Sequence, residues 1–256
     1  MPLIQSPVEL SYRHAVPYTL WCYWEGDPMS GNRLTSFEYL QQNIQVPICL
    51  LTPDNLHLFI KPEHPFPDSY QHLSIVHRSD YVRAYMLYHY GGGWHDIKAT
   101  EVSYANVWKE FENPEIWIVG KPEIAKGAAK AYTGDGSYVP DHYKRLIAVP
   151  AWVGRPHTAL AKDILDGIEN LVTYHAQELK KYPAKHPRDK KIVTKSRIKR
   201  LFTRIKFRYQ GKSTRYPLEW TLFGNVFHPV ILKYNQHVSF KLPYDKLKNA
   251  GIYHRG

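Results

Sequence analysis

Apolar runs and amphipathic stretches alternate along the first 120 residues of the chain. Patterns typical of buried strands occupy 18–24 (YTLWCYW) and 46–52 (VPICLLT), and the stretch 33–43 between them has a helical pattern. Further strand-like runs follow at 115–120 (EIWIVG) and 146–154 (LIAVPAWVG). Because strands that alternate with helices are typical of α/β proteins, we expect one α/β domain over 1–256. Its central sheet should be mainly parallel and flanked by helices.

The segment 79–90 (SDYVRAYMLYHY) has the spacing of a helix with two different faces. The apolar face consists of Val82, Tyr85, Met86, His89 and Tyr90, and the opposite face carries Asp80, Arg83 and Leu87. Three glycines, 91–93, end this helix, and 94–99 (WHDIKA) should form the next strand. Glycines let the backbone turn sharply and approach a ligand closely.

Asp80, Arg83 and Asp96 are the first candidates for chemistry. Asp80 and Arg83 lie one helical turn apart, so their side chains can reach the same point. Asp96 follows the glycine turn, and ligands of open α/β sheets gather at the carboxyl ends of strands. Two acids and a guanidinium suit a polyhydroxylated, phosphorylated ligand. The alternative is a structural ion pair between Asp80, as a helix-start acid, and Arg83.

Net charge is concentrated in one segment. The whole chain carries +11, whereas 180–215 alone carries +14, with 15 Lys or Arg against one acid, Asp189. An anionic partner is therefore expected for one surface only. The chain shows no apolar run long enough to span a bilayer and no secretory signal, and Cys22 and Cys49 fit buried reduced thiols. We expect a cytoplasmic protein, with peripheral contact at the inner face of a membrane as an option.

The stretch 194–209 (TKSRIKRLFTRIKFRY) predicts a basic amphipathic helix in which Ile198, Leu201, Phe202 and Ile205 share a face. One interpretation is docking at an anionic membrane surface, where a lipid-linked glycan acceptor would lie. Another is that the apolar face packs on the domain while the cations stay solvated. Nucleic-acid binding is the least supported, because the chain contains no motif of a known module.

Three stretches together resemble a known family. The segments SDYVRAYMLYHYGGGWHDIKAT (79–100), YTLWCYWEGD (18–27) and YPLEWTLFGNVFHPVI (216–231) are similar to glycosyltransferases with the DXD-type sugar-binding region. That family includes capsular-polysaccharide transferases and, more distantly, glucosylating toxins. The resemblance implies a GT-A fold, of the Rossmann type, and transfer of a sugar from a nucleotide sugar to a glycan or glycoconjugate. It also implies retention of anomeric configuration and a role in polysaccharide or surface-glycan assembly.

The resemblance also implies roles for individual residues. It assigns the nucleotide to Tyr23, Trp24 and Ile97, the donor sugar to Asp80, Arg83, Gly92 and Gly93, and a Mn²⁺ or Mg²⁺ ion to Asp96 and His228. A base-stacking tryptophan is compatible with UDP, which we favour over GDP. Trp24 could instead be a core aromatic residue, and His228, before a proline, could be a turn residue.

Lys98 departs from the family pattern, since it stands where the second aspartate of the motif is often found. Either a metal still binds through Asp96, His228 and the diphosphate, which we favour, or Lys98 supplies the metal's charge in catalysis. Glu219 is a candidate acceptor-side base or sugar contact, with a solvated or capping acid as its alternative. Asp135 lies in a glycine-rich loop that could cover the acceptor. A non-catalytic nucleotide-sugar or glycan-binding protein on the same fold is the alternative function.

Overall fold

The computed structural model describes residues 3–128, 136–187, 196–209 and 215–244. Its main sheet has six strands in the order β4-β3-β5-β7-β6-β8. These strands are β3 (Leu20–Tyr23), β4 (Ile48–Leu51), β5 (Gly92–His95), β6 (Ile118–Pro122), β7 (Ile147–Gly154) and β8 (Val238–Ser239). A small hairpin, β1 (Tyr12–Arg13) and β2 (Val16–Pro17), precedes them. Among these six strands only β7 runs antiparallel to its neighbours, so the predicted α/β class with a mainly parallel sheet is confirmed.

Six α-helices lie in the described part of the chain. They are α1 (Gly31–Asn43), α2 (Ile75–His89), α3 (Ala159–Tyr174), α4 (Ala176–Lys181), α5 (Arg197–Tyr209) and α6 (Leu222–Lys233). Short 3₁₀ helices span Pro7–Glu9, Leu56–Phe59, Asp68–His72, Val107–Glu112, Val139–Arg145 and Asn235–His237. None of the helices in this part is both long and apolar enough to cross a membrane.

The two faces of the sheet bury separate apolar clusters because side chains alternate along each strand. In β3, Trp21 faces the cluster formed with α2, α3 and α6, while Leu20 and Cys22 face the cluster formed with α1. Both cysteines are buried and free, as predicted, and burial raises the pKa of Cys49 to about 12. The sheet is therefore covered by helices on both sides.

Helix α2 is more deeply buried than its pattern predicted. Asp80, Arg83 and Leu87, which we placed on the face opposite the apolar one, are all buried, as are Val82, Tyr85, Met86 and Tyr90 of the apolar face. The reason is that α2 packs on β3 and β5 and also contacts α3 and α6, which leaves little of its surface in solvent. Asp80 and Arg83 therefore lie in the interior of the molecule rather than on its surface.

The glycine turn is shifted relative to the prediction. Helix α2 ends at His89, Gly91 has a positive φ of 70°, and β5 then begins at Gly92 rather than at Trp94. A Cβ atom on Gly93 would lie 2.6 Å from Cδ1 of Leu20, on the neighbouring strand. A side chain at this position would require Leu20 to shift within the core, so close strand packing favours glycine.

Candidate functional site

A cleft of about 1470 Å³ opens where β3 and β5 end. Its walls are the segment 23–28 after β3, residues 94, 96 and 97 at the end of β5, and the first turns of α2 and α6. The segments 126–128 and 183–186 complete the rim. This is the edge of a parallel sheet at which α/β proteins bind ligands.

Arg83 lies between two carboxylates in the wall of this cleft. Its Nη2 atom is 3.4 Å from Oδ1 of Asp80 and 3.4 Å from Oδ1 of Asp96. Its Nη1 donates to the carbonyl oxygen of Val149 at 3.2 Å. The structure therefore brings together the three residues that the sequence proposed as one site.

Two aromatic rings hold the guanidinium in place. The Cζ atom of Arg83 lies 4.9 Å from the ring centroid of Trp94 and 4.6 Å from that of Phe223. The indole Nε1 of Trp94 also donates to Oδ1 of Asp96, at 3.2 Å, while Nζ of Lys98 lies 3.5 Å from the other carboxylate oxygen. Asp96 is thus surrounded by donors and cations, and its side chain is still 26% exposed.

The two acids differ in protonation because their surroundings differ. Burial raises the pKa of Asp80 to about 7, against the opposing effect of Arg83. Burial alone would also raise the pKa of Asp96, but Arg83 and Lys98 outweigh it and hold that pKa below the usual value. At neutral pH the site therefore holds one fixed carboxylate and one acid close to its titration point, a pairing common in functional sites.

Trp24 and Arg33 form another part of the cleft wall. Trp24 is partly buried, and its Nε1 donates to the carbonyl oxygen of Asp27 at 3.0 Å. The guanidinium of Arg33 lies 5.3 Å from the centroid of the Trp24 ring and donates to the carbonyl oxygen of Ile97 at 3.0 Å. The structure thus gathers Trp24 and Ile97 at one wall, with an arginine that we had not predicted.

Tyr23 lines the same wall, with its hydroxyl donating to Oε2 of Glu25 at 2.6 Å. Glu25 also forms an ion pair with Arg78, which lies on α2 two residues before Asp80. Sequence reasoning missed both Glu25 and Arg78. The signal that could have identified them is their position in the sequence. Glu25 follows the strand β3 and Arg78 lies near the start of α2, both at the edge of the sheet where ligands bind.

Of four further predicted residues, three do not line the cleft and the fourth lies outside the described residues. Gly92 and Gly93 pair within the sheet and are not among the residues that line the cleft, and their assignment to the donor sugar stays a prediction. Glu219 is exposed and its side chain does not line the cleft; its carbonyl oxygen accepts from Nε2 of buried His77 at 2.9 Å. Asp135 lies outside the described residues.

His77 therefore anchors the chain before α6. With Nε2 donating to a carbonyl oxygen, its Nδ1 accepts from the hydroxyl of Tyr216 at 2.8 Å, and that hydroxyl accepts from the backbone N–H of Ser74 at 3.0 Å. This buried network ties the start of α2 to the segment that enters α6. Phe223, near the start of α6, donates its backbone N–H to Asp80.

The side chains around Asp96 do not fit the divalent metal that the family resemblance implies. His228 lines the cleft within α6, but its Nε2 lies 3.6 Å from Oε2 of Glu123. Asp96 is held by Arg83, Trp94 and Lys98, and cations beside a carboxylate disfavour a bound cation. The described residues form no group of three His, Cys, Asp or Glu side chains suited to a metal ion. Metal binding remains a prediction.

Comparisons with known proteins add no identification. A scan against protein-family models gives no match for this chain, and a search of curated proteins gives no match either. Interpretation of the cleft therefore depends on its own geometry and chemistry.

Proposed function

We propose that this chain is a GT-A-type glycosyltransferase that moves a sugar from a nucleotide sugar to a glycan or glycoconjugate acceptor. The observation that carries the proposal is the convergence of Asp80, Arg83 and Asp96 in one cleft, with Trp24 at another part of its wall. We favour a UDP-sugar donor and retention of configuration. Both the GT-A assignment and the role in polysaccharide assembly depend on the family resemblance.

The acid pair suits the hydroxyl groups of a donor sugar. The carboxylate of Asp96 is ionised and partly exposed, so it can accept from hydroxyl groups. Asp80 can accept as well once it is ionised. Arg83 fixes the separation of the two acids, and the rings of Trp94 and Phe223 prevent it from turning away. Such preorganisation limits the entropy lost when the sugar is positioned.

The part of the cleft wall that contains Trp24 suits the nucleotide. The partly exposed Trp24 ring can stack on a base, as aromatic side chains do in nucleotide sites. Arg33, Lys126 and Lys185 also line the cleft and provide cations for a diphosphate. Departure of the diphosphate places negative charge on its β-phosphate, and fixed cations stabilise that charge.

A non-catalytic nucleotide-sugar-binding protein is the second candidate, and the environment of Asp96 favours it. Both oxygens of Asp96 already have donors or cations beside them, so fewer positions on the carboxylate remain open to a metal ion. Under this alternative the cleft binds the nucleotide sugar but does not break the glycosidic bond.

Titration calorimetry with UDP and with GDP, each in EDTA and in Mn²⁺, is the first test. We expect UDP to bind, and Trp24→Leu to weaken the binding. If neither UDP nor GDP bound in any of these conditions, the nucleotide-sugar site would be refuted. Binding that requires Mn²⁺ would support the metal prediction. Equal binding in EDTA would indicate that the protein's own cations neutralise the diphosphate.

Turnover then separates the enzyme from the binding protein. Release of UDP from a panel of UDP-sugars is measured for the wild type, for Asp96→Asn and for a control, Asp163→Asn. Asp163 pairs with Lys233 on another surface, so its variant should retain wild-type turnover. A loss of about 100-fold in Asp96→Asn alone would support catalysis. Wild-type turnover at background, with nucleotide binding intact, would support the non-catalytic alternative.

A further inference from the structure

The apolar face of α5 is on the surface of the protein. Ile198 is 70% exposed, Leu201 58%, Phe202 67% and Ile205 46%. These residues recur at helical spacing, so they form one continuous stripe along the helix. The alternative in which this face packs on the domain is therefore wrong for these four side chains.

Cations surround this stripe. Six of the 13 residues of α5 are Lys or Arg, and none is acidic. On a helical projection, Lys199 and Lys206 flank one edge of the stripe and Arg197 flanks the other, and all three are exposed. An apolar stripe bordered by cations is the pattern of helices that lie in a membrane interface.

The segment that carries α5 begins and ends at the rim of the cleft. Nη1 of Arg215, after α5, donates to the hydroxyl of Tyr182, before it, at 3.1 Å. The rings of His186 and Trp220 stack with their centroids 5.0 Å apart, and both residues line the cleft. Contacts between the two ends thus attach the basic segment to the cleft.

We propose that α5 docks the protein on an anionic membrane surface, with its apolar stripe in the lipid interface and its cations at the headgroups. A nucleic acid would use the cations but would leave the stripe in water. A second copy of the chain would cover the stripe but would bring two clusters of cations together. An anionic bilayer satisfies both features at once.

One consequence rests on the proposed function. Because the basic segment is attached at the cleft rim, docking would bring the cleft to the bilayer. The acceptor of the transferred sugar would then be a membrane-anchored glycan. Docking itself requires no transferase activity, so it can be tested separately.

Co-sedimentation with lipid vesicles tests the docking. The full chain is mixed with vesicles of phosphatidylcholine alone or with added phosphatidylglycerol, and we expect binding only to the anionic vesicles. Replacing Lys199 and Lys206 by glutamine should weaken binding about 25-fold, because each cation near an anionic surface contributes roughly fivefold. The double variant with Leu201→Ser and Phe202→Ser should lose at least about tenfold, since apolar contact also drives binding.

Leu58→Ser is the matched control, since Leu58 is 48% exposed but lies far along the chain from α5. It should bind vesicles like the wild type, and thermal unfolding should be unchanged in all these surface variants. Equal binding to neutral vesicles, or wild-type binding by the Leu201 and Phe202 variant, would overturn the proposal. So would binding to single-stranded RNA without binding to vesicles. The affinity of the same variants for UDP, measured by calorimetry, should equal that of the wild type. Failure of the nucleotide site and failure of docking are therefore distinguishable.

Discussion

Replacing Asp80 by asparagine should stabilise the protein relative to the wild type, and by more at pH 8 than at pH 5. The asparagine side chain would mimic the protonated acid and could still accept from the backbone N–H of Phe223. In the folded wild type the pKa of Asp80 is raised from 3.8 to about 7, chiefly by burial. Between these values the folded chain holds a proton that the unfolded chain has released. The free energy of unfolding therefore falls as pH rises through this range.

The size of the effect follows from the two pKa values. One pKa unit corresponds to about 1.4 kcal/mol, so the contribution of Asp80 to the unfolding free energy falls by about 2.5 kcal/mol between pH 5 and pH 8. Asparagine does not titrate, so the variant lacks this loss. Histidines such as His89 and His95 titrate in both proteins, and their contributions cancel in the difference.

Urea unfolding of both proteins at pH 5 and pH 8, in EDTA, measures this difference. The control is Asp163→Asn, because the Lys233 partner helps to hold the pKa of Asp163 below its usual value, outside the pH range tested. Its stability difference from the wild type should be the same at both pH values. A flat difference for Asp80→Asn would mean that Asp80 is ionised throughout and that Arg83 outweighs burial, contrary to our reasoning.

Three further changes test the packing and the ligand site. Gly91→Ala should destabilise the fold by about 2–3 kcal/mol, because its φ is positive and a Cβ would lie 2.5 Å from Cδ of Pro156. Gly31→Ala, with open space around it, is the control, and equal unfolding midpoints for the two would contradict this. Arg83→Met should cost about 3–5 kcal/mol, since it removes the cation paired with buried Asp80 and one of the two cations beside Asp96. A loss below about 1 kcal/mol would show the pairing to be dispensable. Trp24→Leu should lower UDP affinity about 5–100-fold by calorimetry, whereas unchanged affinity would make Trp24 a packing residue only.

Local patterns predicted the elements that build the cleft. The strand 18–24, the helix 79–90 and the aspartate after the glycines were all visible as short-range periodicity. The general location of ligands at strand ends then placed Asp80, Arg83 and Asp96 together from the sequence. These inferences succeeded because each uses residues within about 20 positions of one another.

Contacts between distant segments could not be predicted in the same way. His77 meets Tyr216 across 139 positions, and Arg78 meets Glu25 across 53. Neither pair has a periodic signature, because each depends on how helices pack after the sheet has formed. The burial of Arg83 has the same origin, since α6 supplies the ring of Phe223 that covers it.

The energetics of Asp80 weigh against the purely structural alternative for its ion pair. Asp80 lies beyond the first turn of α2, which begins at Ile75, so it is not the helix-start acid of the structural alternative. An acid that stabilises a helix through an ion pair with arginine should have a lowered pKa, because the pair favours the charged form. Here burial outweighs Arg83, and Arg83 is shared with the second carboxylate of Asp96. Ionised Asp80 therefore destabilises the folded chain near neutral pH. Hydroxyl groups of a ligand in the cleft would relieve this by donating to the charged form, and a structural ion pair would have no need of such a partner. These energetics support the proposed site for a polyhydroxylated ligand over a role of the trio in stabilising α2 alone.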